Sequence, residues 1–297
     1  MKKFDYIAPG TLDEAVGALA EHSAHCKLLA GGTDLLVDLK HTLEGPQVVI
    51  GLDNVDELRG IEETAVGLRI GAMVTHTEVM ESPLIASHAP AMISAARTIG
   101  AVQTRNMGTI GGNLVTCVPS MDSGPVLVAL DAMVTLAGAG GTRQLPLTDF
   151  FVGPRQSALE PDELLVDILI PQAMLGRAAS FLKFGLRKGQ ALALVNAAAS
   201  VSVMGDEITE VRIALGAVAP TVIRAVEAES VVAGRNPTDA AAVSEAAEVA
   251  VTEARPIDDF RASADYRRRL IAVGTRRVLT EALGRARSES MRGAPVG

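Results

Sequence analysis

Two glycine-containing loops hold the residues of this sequence that are best suited to binding an anion. The first loop is Gly31-Gly32-Thr33-Asp34, which lies between a short apolar strand candidate at 27–30 and a run of leucines at helical spacing. Glycine lets a ligand approach the backbone closely, and the start of a helix presents free N–H groups and the positive end of its dipole. We therefore expect this loop to accept a negatively charged group.

The second loop is Gly108-Thr109-Ile110-Gly111-Gly112-Asn113. Its small residues predict a concave nest of backbone amides, with the Thr109 hydroxyl and the Asn113 amide as additional donors. Two loops that converge would suit a diphosphate, because neutral backbone donors can balance the charge without a lysine. Together they indicate a dinucleotide, although for either loop alone a simple turn between strand and helix stays an alternative.

The common nucleotide-binding motifs do not fit these loops. Asp53 stands at the distance that a Rossmann fold requires for a ribose-binding acid, but the glycine spacing around residues 30–35 is not Gly-x-Gly-x-x-Gly. A Walker motif is also absent, since neither loop is followed by Gly-Lys-Ser or Gly-Lys-Thr. The sequence therefore predicts a different nucleotide-binding fold.

The elements that must position the first loop form a β-α-β pattern over the first 55 residues. Thr11 followed by Glu14 has the capping-box spacing and predicts a helix over 11–20. The strand candidate at 27–30, the leucine-rich helix after the loop and a second apolar strand at 48–52 complete the unit.

From about residue 56 the pattern changes to short strands and glycine turns. The elements predicted up to 175 are a strand at 68–72, a helix at 90–99, a loop at 105–113, a hairpin turning at 138–141 and a strand at 164–170. Beyond Pro171 we expect strands near 179–187, 193–204 and 208–218, a helix over 238–254 and a long helix from Asp265 to Ala286. The predicted domains are 1–175, in two parts at 1–55 and 56–175, and 176–290, followed by a tail at 291–297.

Composition excludes several classes of protein. Hydrophobic residues make up 48% and charged residues 21%, and the 28 glycines are dispersed, which is typical of a globular chain. The net charge of −8, without a Lys/Arg cluster or an aromatic platform, argues against nucleic acid. The longest uncharged stretch, 189–205, is too short and too polar to span a bilayer, and no apolar segment follows the basic N-terminus as in a secretory signal. We expect a cytoplasmic protein.

The sequence gives little support for a metal site or for a catalytic nucleophile. Cys26 and Cys117 cannot by themselves ligate an iron–sulfur cluster or a structural zinc, so any redox cofactor is organic or lies on another chain. His22 and His25 lie close to Cys26 but lack a fourth ligand. Since no Ser/His/Asp or Cys/His set stands out, and His76 fits a structural polar residue better than a base, we name no catalytic acid or base.

Several segments resemble the FAD-binding medium subunits of molybdenum hydroxylases, the family of carbon monoxide, nicotinate and xanthine dehydrogenases. The segments that carry this resemblance are Ala30-Gly31-Gly32-Thr33-Asp34-Leu35, the run from Arg105 to Asn113, Asp122, the run from Asp149 to Gly153, residues 164–171, residues 208–224 and the run from Arg261 to Arg268. The resemblance implies an α+β fold. A two-part FAD-binding domain of the vanillyl-alcohol oxidase (PCMH) type would be followed by a smaller C-terminal domain with a three-stranded antiparallel sheet and helices.

The resemblance also implies the cofactor site. The residues it assigns to non-covalently bound FAD are Leu28, Leu29, Ala30, Gly31, Gly32, Thr33, Asp34, Leu35, Thr109, Ile110, Gly111, Gly112, Asn113, Asp122, Leu164, Leu165 and Lys183. The two loops would hold the diphosphate, Asp122 would accept hydrogen bonds from sugar or ribityl hydroxyls, and Leu164 or Leu165 would line the isoalloxazine. A turn-capping role is the alternative for Asp122. Because the loops contain no aromatic residue, Ile99 is a candidate for aliphatic stacking.

By this resemblance the chain is an electron-transfer subunit of a heteromeric enzyme. It would accept electrons from a small [2Fe-2S] subunit fed by a large molybdenum-cofactor subunit, and the flavin would supply the redox chemistry. A stand-alone flavin oxidase and a scaffold without cofactor are the alternatives. The organic substrate, the acceptor (NAD, oxygen or another carrier), the stoichiometry and the residue that packs on the isoalloxazine stay open.

Overall fold

The computed structural model describes residues 3–42 and 45–293, with side chains up to residue 288. The first unit is a parallel sheet of three strands, β1 (Asp5–Ile7), β2 (Cys26–Leu29) and β3 (Val48–Gly51), in the order β1-β3-β2. Helix α1 (Leu12–His22) connects β1 to β2, and α2 (Leu35–His41) connects β2 to β3. The predicted β-α-β unit is confirmed, because β2 and β3 pair in parallel.

Local capping explains where the first helix begins. The Thr11 hydroxyl accepts a hydrogen bond from the Glu14 amide at 3.2 Å, as the spacing predicts. The Glu14 carboxylate accepts from the amide of Gly10 at 2.7 Å, one residue earlier than in a standard capping box. Strand β1 was not predicted, because three residues are too few to show a periodic pattern.

The second unit is an antiparallel sheet in the order β4-β5-β10-β6-β7, covered by short helices. Its strands are β4 (Ile61–Thr64), β5 (Gly67–Gly71), β6 (Met133–Gly138), β7 (Gly141–Pro146) and β10 (Leu164–Pro171), with a separate ribbon of β8 (Phe151–Gly153) and β9 (Gln156–Ser157). Its helices are α3 (His76–Glu81), α4 (Pro83–His88), α5 (Pro90–Thr98), α6 (Val102–Met107), α7 (Ile110–Val115), α8 (Ser123–Ala129) and α9 (Leu147–Phe150). The predicted hairpin at 138–141 is confirmed by the pairing of β6 with β7.

The prediction of a loop over 105–113 is wrong for most of its residues, which are helical. Two one- to two-turn helices, α6 and α7, occupy most of it, and Gly108 and Thr109 connect them. The Thr109 hydroxyl caps α7 by accepting from the amide of Gly112 at 3.1 Å. Three glycines in six residues suggest a loop, but this cap and the packing of α7 stabilise a helix.

The third unit is an antiparallel sheet in the order β11-β12-β13-β14. Its elements are β11 (Ala178–Gly185), β12 (Ala193–Met204), β13 (Glu207–Gly216), β14 (Ile223–Arg224), α10 (Val226–Val232), α11 (Ala240–Glu253) and α12 (Ala264–Gly293). The three predicted strands are present, and β14 adds a fourth of two residues. Of the predicted tail, residues 291–293 end α12 and residues 294–297 lie outside the described residues.

Strand β12 is buried on both faces because it lies between two layers of helices. Helices α5 and α8 of the second unit contact one side of the third sheet, and α12 covers the other. Side chains therefore alternate: Asn196, Ala198 and Ser200 face the second unit, whereas Val195 and Ala197 belong to the core under α12. In the described part of the chain, no helix combines the length and the apolarity needed to cross a bilayer.

Candidate functional site

A cleft of about 400 Å³ opens where the three units meet. Its volume lies within the range of small-molecule sites, about 300–1,000 Å³. We call it the loop cleft. Its lining residues are Leu28, Ala30, Gly31, Gly32, Thr33, Asp34, Leu35, His76, Ile99, Gly100, Thr104, Gly108, Thr109, Gly112, Asn113, Val115, Thr116, Gln190, Ala191 and Leu192. A side chamber of about 130 Å³ shares seven of these residues and adds Val118, Ser120, Met121 and Asp122.

The two glycine loops are in direct contact. A Cβ atom placed on Gly31 would lie 1.6 Å from the carbonyl oxygen of Met107, so only glycine permits this approach. Gly32, with φ +71°, adopts the left-handed conformation that glycine favours. The Thr116 hydroxyl also lies 3.4 Å from Oδ2 of Asp34, across the cleft. The convergence that a diphosphate site requires is therefore present.

The first loop presents a run of backbone donors without partners. The amides of residues 31–35 donate no hydrogen bond to any other described residue. Gly31, Gly32, Thr33 and Leu35 are half-buried and Asp34 is exposed. Amides that precede and begin a helix have no partner within it, so five consecutive unpaired donors beside a cleft can bond an external acceptor. Helix α2 has seven residues, so the individual amides, more than a long helix dipole, favour an anion here.

The second loop differs from the predicted nest. Its amides at Ile110, Gly111, Gly112 and Asn113 already donate to oxygen atoms of Val74, Ala72 and Thr109. Among the described residues, the amide of Thr109 has no acceptor. This loop therefore offers one amide and the side chains of Thr109 and Asn113. The Asn113 Nδ2 donates to no described residue, since Ser123 uses only its Oδ1.

Besides Asp122 and Lys183, five of the predicted site residues do not line the loop cleft. Leu29, Ile110 and Gly111 do not line it, and the latter two are buried in the first turn of α7. Leu164 and Leu165 lie on β10 in the cores of the first and second units, with exposures of 0% and 4%. The structure thus does not bring these two leucines to the loop cleft, whereas Ile99 does line it.

Correspondingly, residues outside the predicted set contribute to the cleft. Thr104 and Thr116 present hydroxyls from α6 and from the end of α7, and residues 190–192 reach it from the third unit. The amide of Gln190 donates to the carbonyl of Gly100 at 3.0 Å and holds that segment in place. Of these residues, only Thr116 could have been expected at the cleft from the sequence, because it lies four residues after Gly112 and so on the same helix face.

Asp122 and Lys183 form a buried ion pair at the side chamber. The Lys183 Nζ donates to Asp122 Oδ2 at 2.5 Å and to the carbonyl of Thr98 at 3.0 Å. Asn196 Nδ2 donates to the other carboxylate oxygen, Oδ1, at 2.9 Å. Burial raises the pKa of Asp122, and the charge of Lys183 and the hydrogen bonds oppose that rise. The alternative that Asp122 caps a turn is wrong, since its side chain makes no capping hydrogen bond to α8.

His76 lines the loop cleft at the start of α3 and is 3% exposed. Burial, reinforced by the nearby charge of Arg105, lowers the pKa of His76 to about 4. Its imidazole is therefore neutral at pH 7, and it donates no hydrogen bond to another described residue. A neutral ring with one N–H and one acceptor nitrogen can bond a ligand without adding charge.

These groups fit a dinucleotide with a diphosphate bridge. Unpaired amides on one loop and hydroxyls on the other suit phosphate oxygens, and the Asp122 carboxylate suits sugar hydroxyls. A metal centre is not supported, because no group of three His, Cys, Asp or Glu residues in the described chain could hold an ion. That includes the sequence candidates His22, His25 and Cys26.

Comparison with known proteins agrees with this geometry. Residues 2–173 match the family model described as the FAD-binding domain in molybdopterin dehydrogenase. Residues 180–282 match the CO dehydrogenase flavoprotein C-terminal domain. The two matches together span nearly the whole chain.

Individual relatives match over almost their full length. The carbon monoxide dehydrogenase medium chain of Hydrogenophaga pseudoflava is 33% identical over 95% of this chain and 98% of that protein. The nicotine 6-hydroxylase medium subunit of Paenarthrobacter nicotinovorans is 36% identical over 93% and 96%. Among solved structures, a chain of H. pseudoflava carbon monoxide dehydrogenase superimposes with a TM-score of 0.91 at 34% identity, over 96% of this chain and 98% of that chain. Quinoline 2-oxidoreductase from Pseudomonas putida 86 gives 0.90 at 33% identity, over 96% and 99%.

Proposed function

Because the chain belongs to the family of FAD-binding medium subunits of molybdenum hydroxylases, we propose that the loop cleft and its side chamber are the FAD site. The observation that carries this assignment is the run of unpaired amides at residues 31–35, facing a second loop across a contact that only Gly31 allows. The α+β fold, with an FAD-binding domain and a smaller C-terminal domain, agrees with this family.

The chain is the flavoprotein component of a heteromeric oxidoreductase, as are its relatives. It accepts electrons from a [2Fe-2S] subunit that is fed by a molybdenum-cofactor subunit, and it passes them to an external acceptor. Bound FAD would supply the redox chemistry, including the change between one- and two-electron transfer. The organic substrate is therefore hydroxylated on another subunit. The relatives favour this function over a stand-alone oxidase or a scaffold.

Within the cleft each group of residues has a separate task. The amides of residues 31–35, the Thr109 amide and the Thr109 hydroxyl would hold the two phosphates. Asp122, held by Lys183, would accept hydrogen bonds from hydroxyls, and Asn113 Nδ2 would donate a further hydrogen bond. Ile99 and Leu192 would exclude water from an aromatic ring. Leu164 and Leu165 are buried on β10 and do not line the cleft, so a contact with the ring would require the cofactor to reach β10.

The experiment that tests the FAD site uses the full-length chain purified under native conditions. We expect a yellow protein whose chromophore is released by denaturation and identified as FAD by chromatography. After removal of the flavin, FAD should rebind at least about tenfold more tightly than FMN, because FMN lacks the second phosphate that the loops would hold. A colourless chain that neither retains nor rebinds FAD would contradict the proposal.

The subunit assignment is tested on the native complex. Affinity purification of the tagged chain from its own host should recover two further subunits with molybdenum and iron, measured by elemental analysis. An isolated monomer that oxidises a substrate unaided would instead support the oxidase alternative.

We also propose that the chain divides into its two domains near residue 175, because β10 ends at Pro171 and β11 begins at Ala178. The cytosolic location expected from the sequence stays a prediction.

A further inference from the structure

We propose that Asn196 is a positioning residue that holds the Asp122 carboxylate in the orientation required for FAD binding, so that strand β12 of the third unit contributes to the cofactor site through Asp122. This inference rests on the proposed FAD site. It concerns a side chain that does not line the loop cleft and that acts only through Asp122.

The hydrogen bonds of Asn196 define its orientation. Its Nδ2 donates to the carbonyl of Met121 at 2.9 Å and to Asp122 Oδ1 at 2.9 Å. Both partners can only accept, so the amide nitrogen must face them and the amide cannot be turned over. One side chain thus holds both the backbone and the carboxylate of the segment that forms the side chamber.

The surroundings leave the Asn196 amide no other arrangement. The residue is fully buried, and its Oδ1 has no hydrogen-bond partner in the described chain. That oxygen lies against Gly216, where a Cβ atom would be only 2.1 Å away. An unpaired buried oxygen costs free energy, so the two bonds made by Nδ2 must compensate for it. The two groups that Asn196 holds explain why a buried amide occupies this position.

Asn196 and Lys183 together fix the carboxylate from two sides. Lys183 reaches Oδ2 from β11 and Asn196 reaches Oδ1 from β12. An ionised carboxylate offers about four acceptor sites on its two oxygens, and the side chain of Thr98 also bonds to it, so one site is left for a ligand hydroxyl. With Asn196 removed, Oδ1 would lose its amide donor, and the carboxylate would be held less firmly in its orientation at the side chamber.

The same strand offers a matched control for general packing. Ser200 lies four residues further along β12, on the same face, and is equally buried. Its Oγ donates to the carbonyl of Ala129 at 2.6 Å, so it also joins the third unit to the second unit. Ser200 lines neither the cleft nor the side chamber. Ser200→Ala therefore removes a hydrogen bond across the same contact without affecting Asp122.

The decisive variant is Asn196→Asp, which keeps the size of the side chain and replaces the donor by a carboxylate. The charged groups around the position are Asp122, from the segment before α8, and Lys183, from β11; β13 and α8 contribute Gly216 and Pro125. Two adjacent carboxylates share a proton once the pH is low enough. The introduced acid can then donate to Asp122 as the amide does.

The measurement is the FAD dissociation constant of the flavin-free full-length chain at pH 6 and pH 8.5, relative to the wild type at each pH. For Asn196→Asp we expect at least about tenfold weaker binding at pH 8.5 and recovery to within about threefold at pH 6. For Asn196→Ala, which adds no charge, we expect weaker binding at both pH values. Ser200→Ala should lower the melting temperature while leaving FAD affinity unchanged.

The outcomes separate this inference from the proposed function. A wild-type chain that binds no FAD would end the proposed site itself. A wild-type chain that binds FAD, with folded Asn196→Asp and Asn196→Ala variants that bind it equally well, would overturn the role of Asn196 alone. The same conclusion would follow if Asn196→Asp weakened binding without recovery at pH 6 and Ser200→Ala weakened it as much. If Asn196→Asp does not fold, Asn196→Ala and Ser200→Ala decide the question by the same comparison.

Discussion

The Cα of Gly31 faces the carbonyl oxygen of Met107 so closely that a methyl group added to Gly31 would lie 1.6 Å from that oxygen. This contact joins the loop between β2 and α2 to the end of α6, and so joins the first unit to the second. The unpaired amides begin at the same residue. Because the obstacle is backbone rather than a flexible side chain, it cannot move away without displacing one of the loops.

We therefore expect Gly31→Ala to separate the loops and to weaken FAD binding by at least about a hundredfold, which corresponds to about 3 kcal/mol. The matched control is Gly17→Ala, since Gly17 lies in α1 and a Cβ atom there would meet nothing within 4 Å. That change should stabilise the chain by up to about 1 kcal/mol and leave FAD affinity unaltered. Equal FAD affinity for Gly31→Ala and the wild type, measured by fluorescence titration, would contradict the assignment.

Because Lys183 and Asp122 form a buried ion pair, we expect the stability of a Lys183→Met variant to increase as the pH falls. Removing one partner of a buried pair destabilises a protein by about 3–5 kcal/mol, and we expect a loss of this size at pH 8. Burial already raises the pKa of Asp122, and loss of the cation raises it further. The native state then binds a proton that the unfolded state releases, so the free energy of unfolding increases as the pH falls towards about 4.

Urea unfolding of Lys183→Met between pH 8 and pH 5 measures this effect. The double variant Asp122→Asn with Lys183→Met has no titrating carboxylate at the site, so its stability should lack the additional pH dependence. If both variants lose stability in parallel over this range, the carboxylate is not the titrating group.

For His76 we expect the free energy of unfolding to change with pH in the opposite direction. Burial lowers its pKa to about 4 in the native state, against 6.5 for an ordinary histidine. Below pH 6.5 the unfolded state takes up the proton first, so stability falls with decreasing pH until about pH 4. At about 1.4 kcal/mol for each pKa unit, the loss reaches about 3 kcal/mol. His76→Gln should remove this part of the acid sensitivity, and chemical denaturation of both chains at pH 7 and pH 4.5 would show whether it does.

Much of the architecture follows from local sequence signals. Thr11 and Glu14 fix the start of α1, and the turn at 138–141 fixes the hairpin of β6 and β7. The three long strands of the third sheet are rich in Ala, Val, Leu and Ile and end at or next to a glycine, so their existence could be predicted. Strand β1 could not, because Asp5–Ile7 gains its stability from pairing with β3 and not from any pattern of its own.

The sequence predicts the site less completely than the fold, because the site depends on tertiary contacts. The contact between Gly31 and Met107 is visible only in three dimensions, although both loops were singled out by their glycines. Whether an amide is free depends on its tertiary partners, and Ala72 and Val74 take the amides of the second loop. Asn196 does carry a sequence signal, since it is the one side-chain amide in the predicted strand at 193–204.

The two cysteines should differ sharply in reactivity. Burial raises the pKa of Cys117 to about 12, and its thiol donates to the carbonyl of Leu114 at 3.1 Å. Cys26 is half-buried, and its pKa is raised as well. Because the thiolate is the reactive species, at pH 8 we expect Cys26 to react slowly with a thiol reagent and Cys117 to react only after unfolding. Mass spectrometry of the labelled peptides would reveal the order, and rapid labelling of native Cys117 would contradict it.

Gly216 offers a test of the Asn196 contact that removes no polar group from the site. Gly216 pairs with Asn196 between β13 and β12, and a Cβ atom on it would lie 2.1 Å from Asn196 Oδ1 and 3.0 Å from Cγ of Pro125. Gly216→Ala must therefore displace the Asn196 amide towards Met121 and Asp122. Overpacking of this kind costs about 1–3 kcal/mol of stability.

The expected result for Gly216→Ala is a lower melting temperature together with a three- to tenfold weaker FAD affinity, about 1 kcal/mol. Gly284→Ala is its control, because Gly284 lies in α12 and a Cβ atom there would meet nothing within 4 Å. Calorimetry and FAD titration on the two variants separate stability from binding. A Gly216→Ala chain that is destabilised but binds FAD normally would show that the Asn196 amide can move without disturbing Asp122, and Lys183 and residues 190–192 would then be the third unit's contribution to the flavin site.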